Sequence, residues 1–548
     1  MGKRGGKNRN SAHVPVHGNH PKPPHAATSP ALPHLEKKKK IQKEHRTAGA
    51  SSSSSAPAAP SASVNPHSRT SSTTREHLTT TRFADLPISA KSKRAMAEVL
   101  GYAECTVVQA QTLPVALEGK DLIAKARTGT GKTIGFLLPT IEKLAAAASK
   151  PGRVRALAVS PTRELASQIR QECEQLLSFH KPALSSHVVV GGTNIGSDVA
   201  ALSNRTPSIL VATPGRLNDL LYNYEERLPA GLFGSLEVLI FDEADQLLDM
   251  GFRPDVTKIL TFLRPSAANR QTLLFSATMP KDVLEVARIA TRPGATMIDT
   301  VGEEVSTAAA VEQHATTTSQ SAQPAELLAL MTQLMAGDDY KVVVFFVTAR
   351  QTQLYAELFN ALGLRVLEMH SRKSQSQRTR VADEFRNGTR NVMFSSDVSA
   401  RGVDYPDVTA VVQVGLPSDK AQYIHRLGRT ARAGKSGGGY LLLTDFEAFF
   451  LQQLRDLPLK TRAPLDAASS KALQPRLRAA FAGLAPATAA GCYQAWLGFY
   501  NSHLKKMRWT QAALVQTAND FARDVLGLSS PPPLEAKTVG KMGLKGVP

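Results

Sequence analysis

Three groups of residues in this 548-residue chain have types and spacings that could do chemistry. The first is Ala126-Arg127-Thr128-Gly129-Thr130-Gly131-Lys132-Thr133, which follows an apolar run at 121–126 and opens a segment of helical period at 133–147. Glycines such as Gly129 and Gly131 let backbone N–H groups wrap a phosphate, and a helix N-terminus favours the anion. Lys132 suits the outer phosphates of a nucleotide, and the Thr133 hydroxyl suits Mg²⁺. The second group is Asp242-Glu243-Ala244-Asp245, directly after the apolar run 238–241. Adjacent carboxylates at the C-terminal end of a buried strand lie where open parallel sheets bind ligands. Asp242 suits the metal, and Glu243 suits polarisation of an attacking water. The third is His425-Arg426-Leu427-Gly428-Arg429-Thr430-Ala431-Arg432. Its spaced arginines, Arg429 and Arg432, could stabilise charge on a transferring phosphoryl group. Alone, each group reads as a glycine turn, a solvated acidic turn or a basic helix face. In one chain they point to phosphoryl chemistry on a nucleotide.

The elements that must position these groups follow from the apolar pattern. Runs at 121–126, 155–160, 208–212, 238–241 and 272–275 alternate with helical-period segments such as 133–147 and 164–177. Continuous apolar strands between helices mean a parallel sheet covered on both faces. The pattern breaks at the polar stretch 301–326 and resumes at 341–347, 366–369, 391–395, 409–414 and 439–444. This predicts two α/β domains joined by a flexible linker. Past Leu454 the strands stop, and 475–484 and 493–526 read as helices that end before Pro531–Pro533. Tyr493, Trp496 and Tyr500 share one helical face and read as the core of a small bundle. Lys505, Lys506 and Arg508 beside them could extend a nucleic-acid track.

Charge is unevenly spread. Residues 1–82 hold 14 Lys/Arg against 3 Asp/Glu, and residues 455–548 hold 13 against 5. The formal net charge is +20, so the body, 83–454, is close to neutral. Basic ends on a neutral body suggest a folded machine with attachments for a polyanion, usually nucleic acid. The first 82 residues lack Phe, Trp and Tyr and carry the run Lys37–Lys40, which predicts a disordered basic leader. It has no apolar core of a secretory signal. It is acid-poor like a mitochondrial presequence, yet it lacks an Arg-rich amphipathic helix, and the Lys run reads equally as a nuclear or nucleolar signal. No apolar run approaches the roughly 18 residues of a membrane span, so no membrane association is expected. Cys105, Cys173 and Cys492 are too far apart for a CxxC metal site or a disulfide framework, which fits a reducing compartment.

Asp-Glu-Ala-Asp downstream of this phosphate loop resembles the DEAD-box ATP-dependent RNA helicases, and further motifs of that family occur in order. Pro161-Thr162-Arg163-Glu164-Leu165-Ala166 resembles motif Ia, Gly191-Gly192 the GG motif, Thr213-Pro214-Gly215-Arg216 motif Ib and Ser276-Ala277-Thr278 motif III. In the second half, Gln375 and Arg378 match the QxxR pair, residues 396–404 resemble motif V, and 425–432 motif VI. Upstream, Tyr102 and Gln109 resemble the Q motif, and Phe83 the isolated aromatic before it. Cys105-Thr106-Val107-Val108-Gln109 departs from the family's Pro-Thr-Pro-Ile-Gln, and Thr430-Ala431 from Thr-Gly. The region 493–548 is similar to the C-terminal extension of a subgroup that includes fungal mitochondrial splicing helicases and related plant helicases.

The resemblance implies two tandem RecA-like parallel-sheet domains with ATP and single-stranded RNA in the cleft between them. Its expected plan is a disordered leader (1–82), domain 1 (83–300), a linker (301–325), domain 2 (326–455), a helical extension (456–530) and a basic tail (531–548). It implies ATP and Mg²⁺ as cofactors. Tyr102 and Gln109 would hold adenine, Thr128, Gly129, Gly131, Lys132 and Thr133 the phosphates, and Asp404 the ribose. RNA would meet Pro161, Thr162, Arg163, Gly191, Gly192, Thr213, Arg216, Gln375, Arg378 and Ser396, with ribonucleoprotein partners as a further expectation. The activity implied is RNA-dependent ATP hydrolysis that unwinds short duplexes and remodels structured RNA, an RNA chaperone. The alternative is an ATP-gated RNA clamp that unwinds little. The subgroup favours a mitochondrial location.

Overall fold

The computed structural model describes residues 78–547, apart from 148–149, 250, 302–310, 400–402 and 432–436. The predicted leader thus lies outside the described residues as far as 77. Its end is a correction: Leu78–Arg82 form strand β1, antiparallel to β2 (Glu104–Thr106). The threonines at 79–81 are β-branched and suit a half-buried edge.

The first sheet contains β3 (Leu122–Lys125), β4 (Ala156–Val159), β5 (Ser186–Val189), β6 (Ile209–Ala212), β7 (Val238–Phe241), β8 (Gln271–Ser276) and β9 (Thr296–Asp299). They run parallel in the order β5-β6-β4-β7-β8-β3-β9. Every residue of β4, β6, β7 and β8 is buried, as the unbroken apolar runs require of a sheet packed on both faces. Because the strands are parallel, their C-terminal ends share one edge. The phosphate loop after β3, motif Ia after β4, motif Ib after β6, the acidic tetrad after β7 and motif III after β8 therefore all meet there.

The second sheet contains β10 (Glu312–Thr318), β11 (Lys341–Phe346), β12 (Leu367–Met369), β13 (Asn391–Ser395), β14 (Ala410–Val414), β15 (Gly438–Thr444) and β16 (Leu459–Thr461). Its parallel order is β12-β13-β11-β14-β15-β10-β16. Two expectations need correcting. The polar stretch expected as the linker 301–325 contains β10, an interior strand, and the start of the helix Gln323–Leu334. Strands also continue past Leu454, since β16 extends the sheet beyond β10. β10 buries polar side chains by pairing them: the Gln313 amide oxygen accepts from the Tyr423 hydroxyl at 2.9 Å.

The C-terminal region is helical, as expected, with helices Ala467–Ala482, Pro486–Asn501 and Gln511–Asp520. It is not a separate bundle. Tyr493, Trp496, Tyr500 and Phe521 join one core cluster with Phe346, Tyr355, Phe359 and Phe394 of the second domain. Trp496 stacks on Phe521 with ring centroids 5.5 Å apart. Buried polar ties reinforce the seam: Glu326, 1% exposed, accepts from Arg462 at 2.6 Å and from the Leu465 amide at 2.7 Å. The expected basic tail is also packed, through the helix Ala536–Lys541 and buried Leu544. Among the described residues no helix is long and apolar enough to cross a membrane.

This packing predicts that Trp496→Ala destabilises the second domain by about 3–5 kcal/mol, the usual cost of emptying a large aromatic site. Urea titration followed by circular dichroism should show an earlier second-domain transition with the first domain's unchanged. Truncation after Leu454 should expose the same surface and give aggregating protein; a well-behaved, soluble 78–454 fragment would contradict the shared core.

Candidate active site and nucleic-acid groove

The phosphate loop and the acidic tetrad meet directly. Lys132 Nζ donates to Glu243 Oε1 at 2.9 Å, with both side chains buried. Burial alone would lower the Lys132 pKa, but Glu243, Asp242 and Asp245 outweigh it and hold the ammonium above its ordinary value. Asp242 is the opposite case. Burial raises its carboxyl, Lys132 opposes the rise, Glu243 and Glu172 add to it, and the result is about 7. Glu243 has φ +49°, a left-handed conformation that costs a non-glycine residue about 1–2 kcal/mol. Its Oε2 is buried with no hydrogen-bond partner, a lone pair held ready inside the site.

Gly131 shows why the loop needs glycine. Its φ is +90°, and a Cβ there would lie 2.4 Å from Gln109 Nε2. That close approach is functional in form, because Gln109 Nε2 donates to the Gly131 carbonyl at 3.0 Å. Thr106 and Gln109 also make a reciprocal cap on the helix Val107–Leu117, with Gln109 Oε1 accepting from the Thr106 amide at 2.9 Å. The cap and the β1–β2 pairing stiffen a loop that has none of the family's prolines. Tyr102 is half exposed beside this loop at 51%, whereas Phe83 is buried in the first domain's core.

The second domain reaches across the cleft at several points. Arg429, 1% exposed, donates from Nη2 to Thr128 Oγ1 at 2.9 Å and from Nη1 to the Val403 carbonyl at 2.5 Å. His425 Nε2 lies 3.9 Å from Asp245 Oδ2. The same Asp245 oxygen accepts from the Thr278 amide at 3.0 Å and its hydroxyl at 2.7 Å, which joins the acidic tetrad to motifs III and VI. Arg426 donates to Asp397 at 2.8 Å. Arg432 lies outside the described residues. Ala431 has φ +51°, so the alanine occupies a conformation that the family's glycine adopts more freely.

Sequence reasoning missed a stripe on the helix Arg163–Leu176. Glu164, Gln168 and Glu172 are spaced i, i+4, i+8, hence on one face. Glu164 accepts from Arg378 Nη2 at 2.5 Å, and Gln168 Oε1 accepts from the Asp404 amide at 2.7 Å. Gln168 Nε2 in turn donates to Glu172 at 2.9 Å. Burial pushes the Glu172 carboxyl up to about 7, against hydrogen bonds from Gln168 and Thr133. Three polar residues at helical spacing, beginning within motif Ia at Glu164, were the available signal.

On the other side of the contacts lies a groove of about 990 Å³, lined by Gly192, Thr193, Asn194, Gln375, Thr379 and Arg380 among others. Arg163 donates to Gln375 at 3.3 Å and runs over Gly192, where φ is +81° and a Cβ would lie 2.2 Å from Nη1. Several residues expected to meet RNA are buried or already paired. Arg216 is buried, paired with Asp198 and bonded to the Thr193 carbonyl at 2.7 Å, so it braces the loop beneath the groove. Arg378 is buried in its ion pair with Glu164. Thr162 caps its helix, accepting from the Leu165 amide at 3.3 Å, and Thr213 and Ser396 are buried at strand ends.

With this geometry established, the comparisons agree on the family. Residues 106–286 match the DEAD/DEAH box helicase model, and residues 324–434 match the helicase conserved C-terminal domain. The DEAD-box ATP-dependent RNA helicase 26 of Oryza sativa subsp. japonica is 44% identical over 477 residues, 86% of each chain. The ATP-dependent RNA helicase MSS116, mitochondrial, of Phaeosphaeria nodorum is 44% identical over 436 residues, 78% of each chain. Among solved structures, Mss116p bound to single-stranded RNA and AMP-PNP superposes with a TM-score of 0.74 at 28% identity, covering 84% of this chain and 93% of that one. The acidic tetrad, the shared cleft and the matched relatives have one reading: the chain belongs to the DEAD-box ATP-dependent RNA helicases.

Proposed function

We propose that this helicase is an RNA-stimulated ATPase that separates short duplexes and remodels structured RNA, with each round of hydrolysis completed by residues of both domains. The observation that carries this is the bond from Arg429 of the second domain to Thr128 of the phosphate loop. ATP supplies the phosphoryl group, and Mg²⁺ would neutralise phosphate charge. The residues present fit that ion. Mg²⁺ is usually held by one or two carboxylates plus phosphate oxygens, and Asp242 is a buried carboxyl at the end of β7 beside Glu243 and Asp245. Thr133 and Asp242 are its expected ligands.

The chain's own residues then divide the work. Lys132 holds the outer phosphates and, through its bond to Glu243, fixes the position of that carboxylate. Glu243 orients and deprotonates the attacking water with its unpartnered Oε2. Arg429, and Arg432 with it, offset the charge that develops on the transferring group. Gln109 has one further amide proton and one further lone pair for the adenine edge, Tyr102 offers its ring, and Asp404 offers a carboxylate to the ribose. RNA lies along the groove at Gly192, Arg163 and Gln375, held by its backbone rather than its bases. By analogy with the Phaeosphaeria relative's name, we place the protein in mitochondria, which fractionation of cells expressing a tagged full-length chain would check.

Lys132→Ala should abolish RNA-stimulated ATPase activity, by about 100-fold or more, because the variant loses a preorganised charge. It should also lower Tm, since Glu243 is left buried without its partner. Glu243→Gln should keep ATP and RNA binding, slow turnover by about 100-fold or more, and form an RNA complex that persists only with ATP. RNA dissociating from it at the wild-type rate with ATP present would exclude Glu243 as the water-orienting group.

Arg429→Ala should lower kcat by about 1000-fold with a far smaller change in ATP affinity, as for other arginines that act on the transition state. An equal loss of ATP affinity with unchanged kcat would make Arg429 a ground-state anchor.

Exposed Lys505 and Arg508 are proposed to tether RNA beside the core. Lys506 is a poorer probe, because its Nζ donates to the Ser418 carbonyl at 3.0 Å. The Lys505→Gln/Arg508→Gln variant should bind single-stranded RNA more weakly. Its slope of log K against log salt should be shallower by about 0.7 for each phosphate that is no longer neutralised. An unchanged slope would assign both residues to a solvated surface.

A further inference from the structure

Glu447 is a fully buried carboxylate that the hydrolytic residues do not touch. It follows β15 and accepts four hydrogen bonds. Its Oε2 takes the Thr444 amide at 2.8 Å and hydroxyl at 2.9 Å. Its Oε1 takes the Leu416 amide at 2.8 Å and the Tyr500 hydroxyl at 2.6 Å. Burial raises the carboxyl's pKa, and these donors work against the rise. A buried carboxylate is costly unless it is bonded in this way, so the four donors and Glu447 fix one another's positions.

The donors come from different places. Thr444 is local. Tyr500 belongs to the C-terminal helix Pro486–Asn501 and is itself buried. Leu416 lies in the short segment 415–419 that leads from β14 into the helix Lys420–Leu427. Gly415 has φ +85°, and a Cβ there would lie 2.9 Å from Val347 Cγ1, so the chain turns here against the sheet with no room to spare. Asp419 caps the helix, accepting from the Gln422 amide at 2.8 Å. That helix carries His425 and Arg426, and Arg429 lies just past its end with its guanidinium on Thr128. The C-terminal region therefore holds the start of this helix at two points: at Leu416 through Tyr500 and Glu447, and at Ser418 through Lys506.

The geometry points to Tyr500 and Glu447 as positioning residues for ATP hydrolysis: the C-terminal helix, through the Tyr500 hydroxyl and the Glu447 carboxylate, fixes segment 415–419 and thereby the aim of Arg429 at the phosphate loop. This rests on the reading of Arg429 as the hydrolytic arginine. The physical basis is leverage. The helix is short, its start is held by these bonds, and a misplacement of about 1 Å at a reacting group can cost on the order of 100-fold in rate.

The test uses the full chain and Tyr500→Phe, which keeps the ring in the core and deletes one donor. Well below its Tm, the variant should lose about 5- to 10-fold in kcat at saturating RNA, a modest share of that limit, with KM for ATP and Kd for RNA within about twofold of wild type. Hydrogen exchange in the nucleotide-free protein should rise across 415–427 as well as around residue 500. The same substitution in an Arg429→Ala background should cause no further fall in kcat. A Tyr500→Phe protein with lowered Tm but wild-type kcat and unchanged exchange at 415–427 would make the contact merely structural. A fall in kcat that persists undiminished in the Arg429→Ala background would overturn the route through Arg429. If Arg429→Ala alone leaves kcat unchanged, the reading of Arg429 fails instead, and the exchange result still reports whether Tyr500 anchors the segment.

Discussion

The structure depends on the seam between the two parallel sheets, and above all on the polar stripe Glu164, Gln168 and Glu172. A parallel sheet gathers its loops along one edge, but one edge cannot surround a nucleotide and hold a nucleic-acid strand at once. The helix Arg163–Leu176 solves this by facing the second domain. Glu164 takes Arg378 on the groove side, and Gln168 takes the Asp404 amide on the side of the phosphate loop. A single rigid helix thus registers the groove and the phosphate loop against the same partner domain. The bond from Arg429 to Thr128 and the approach of His425 to Asp245 have meaning only within that register.

The electrostatics of the site follow from crowding. Asp242, Glu243 and Asp245 stand within a few residues of one another at the end of β7, all buried. Lys132 is a cation set among them, and burial, more than the neighbouring carboxylates, raises the Asp242 carboxyl. Such a site favours an incoming cation bound with polyphosphate. Arg429 stands at the rim of the same loop, on the Thr128 hydroxyl. Arg216 and Arg378, by contrast, are consumed by Asp198 and Glu164. Their part in the structure is to hold the loops that border the groove.

Much of this was legible in the sequence. Strands such as β7 are buried on both faces, so their apolar runs are unbroken, and the chemistry sits directly after them. What the sequence hid was of two kinds. β10 reads as a linker because Glu312–Thr318 is polar, yet its threonines are good strand formers and Gln313 pairs with Tyr423, 110 residues away. The aromatics of 493–528 read as a self-contained bundle because spacing gives a shared face, not what that face packs against. The expected RNA contacts show the same limit: motif spacing singled out Arg216 and Arg378 but could not show that their charges are already paired.

Cleft closure should therefore be held by the stripe on the Arg163–Leu176 helix. The most direct test is interdomain energy transfer, with one dye on each domain, in wild-type protein and in Glu164→Gln. With AMP-PNP and single-stranded RNA both present, the wild type should show a single high-transfer population. Glu164→Gln should retain a substantial low-transfer population under the same conditions, because Arg378 is left buried without its counter-charge. Identical high-transfer populations in the two proteins would contradict this role for the stripe.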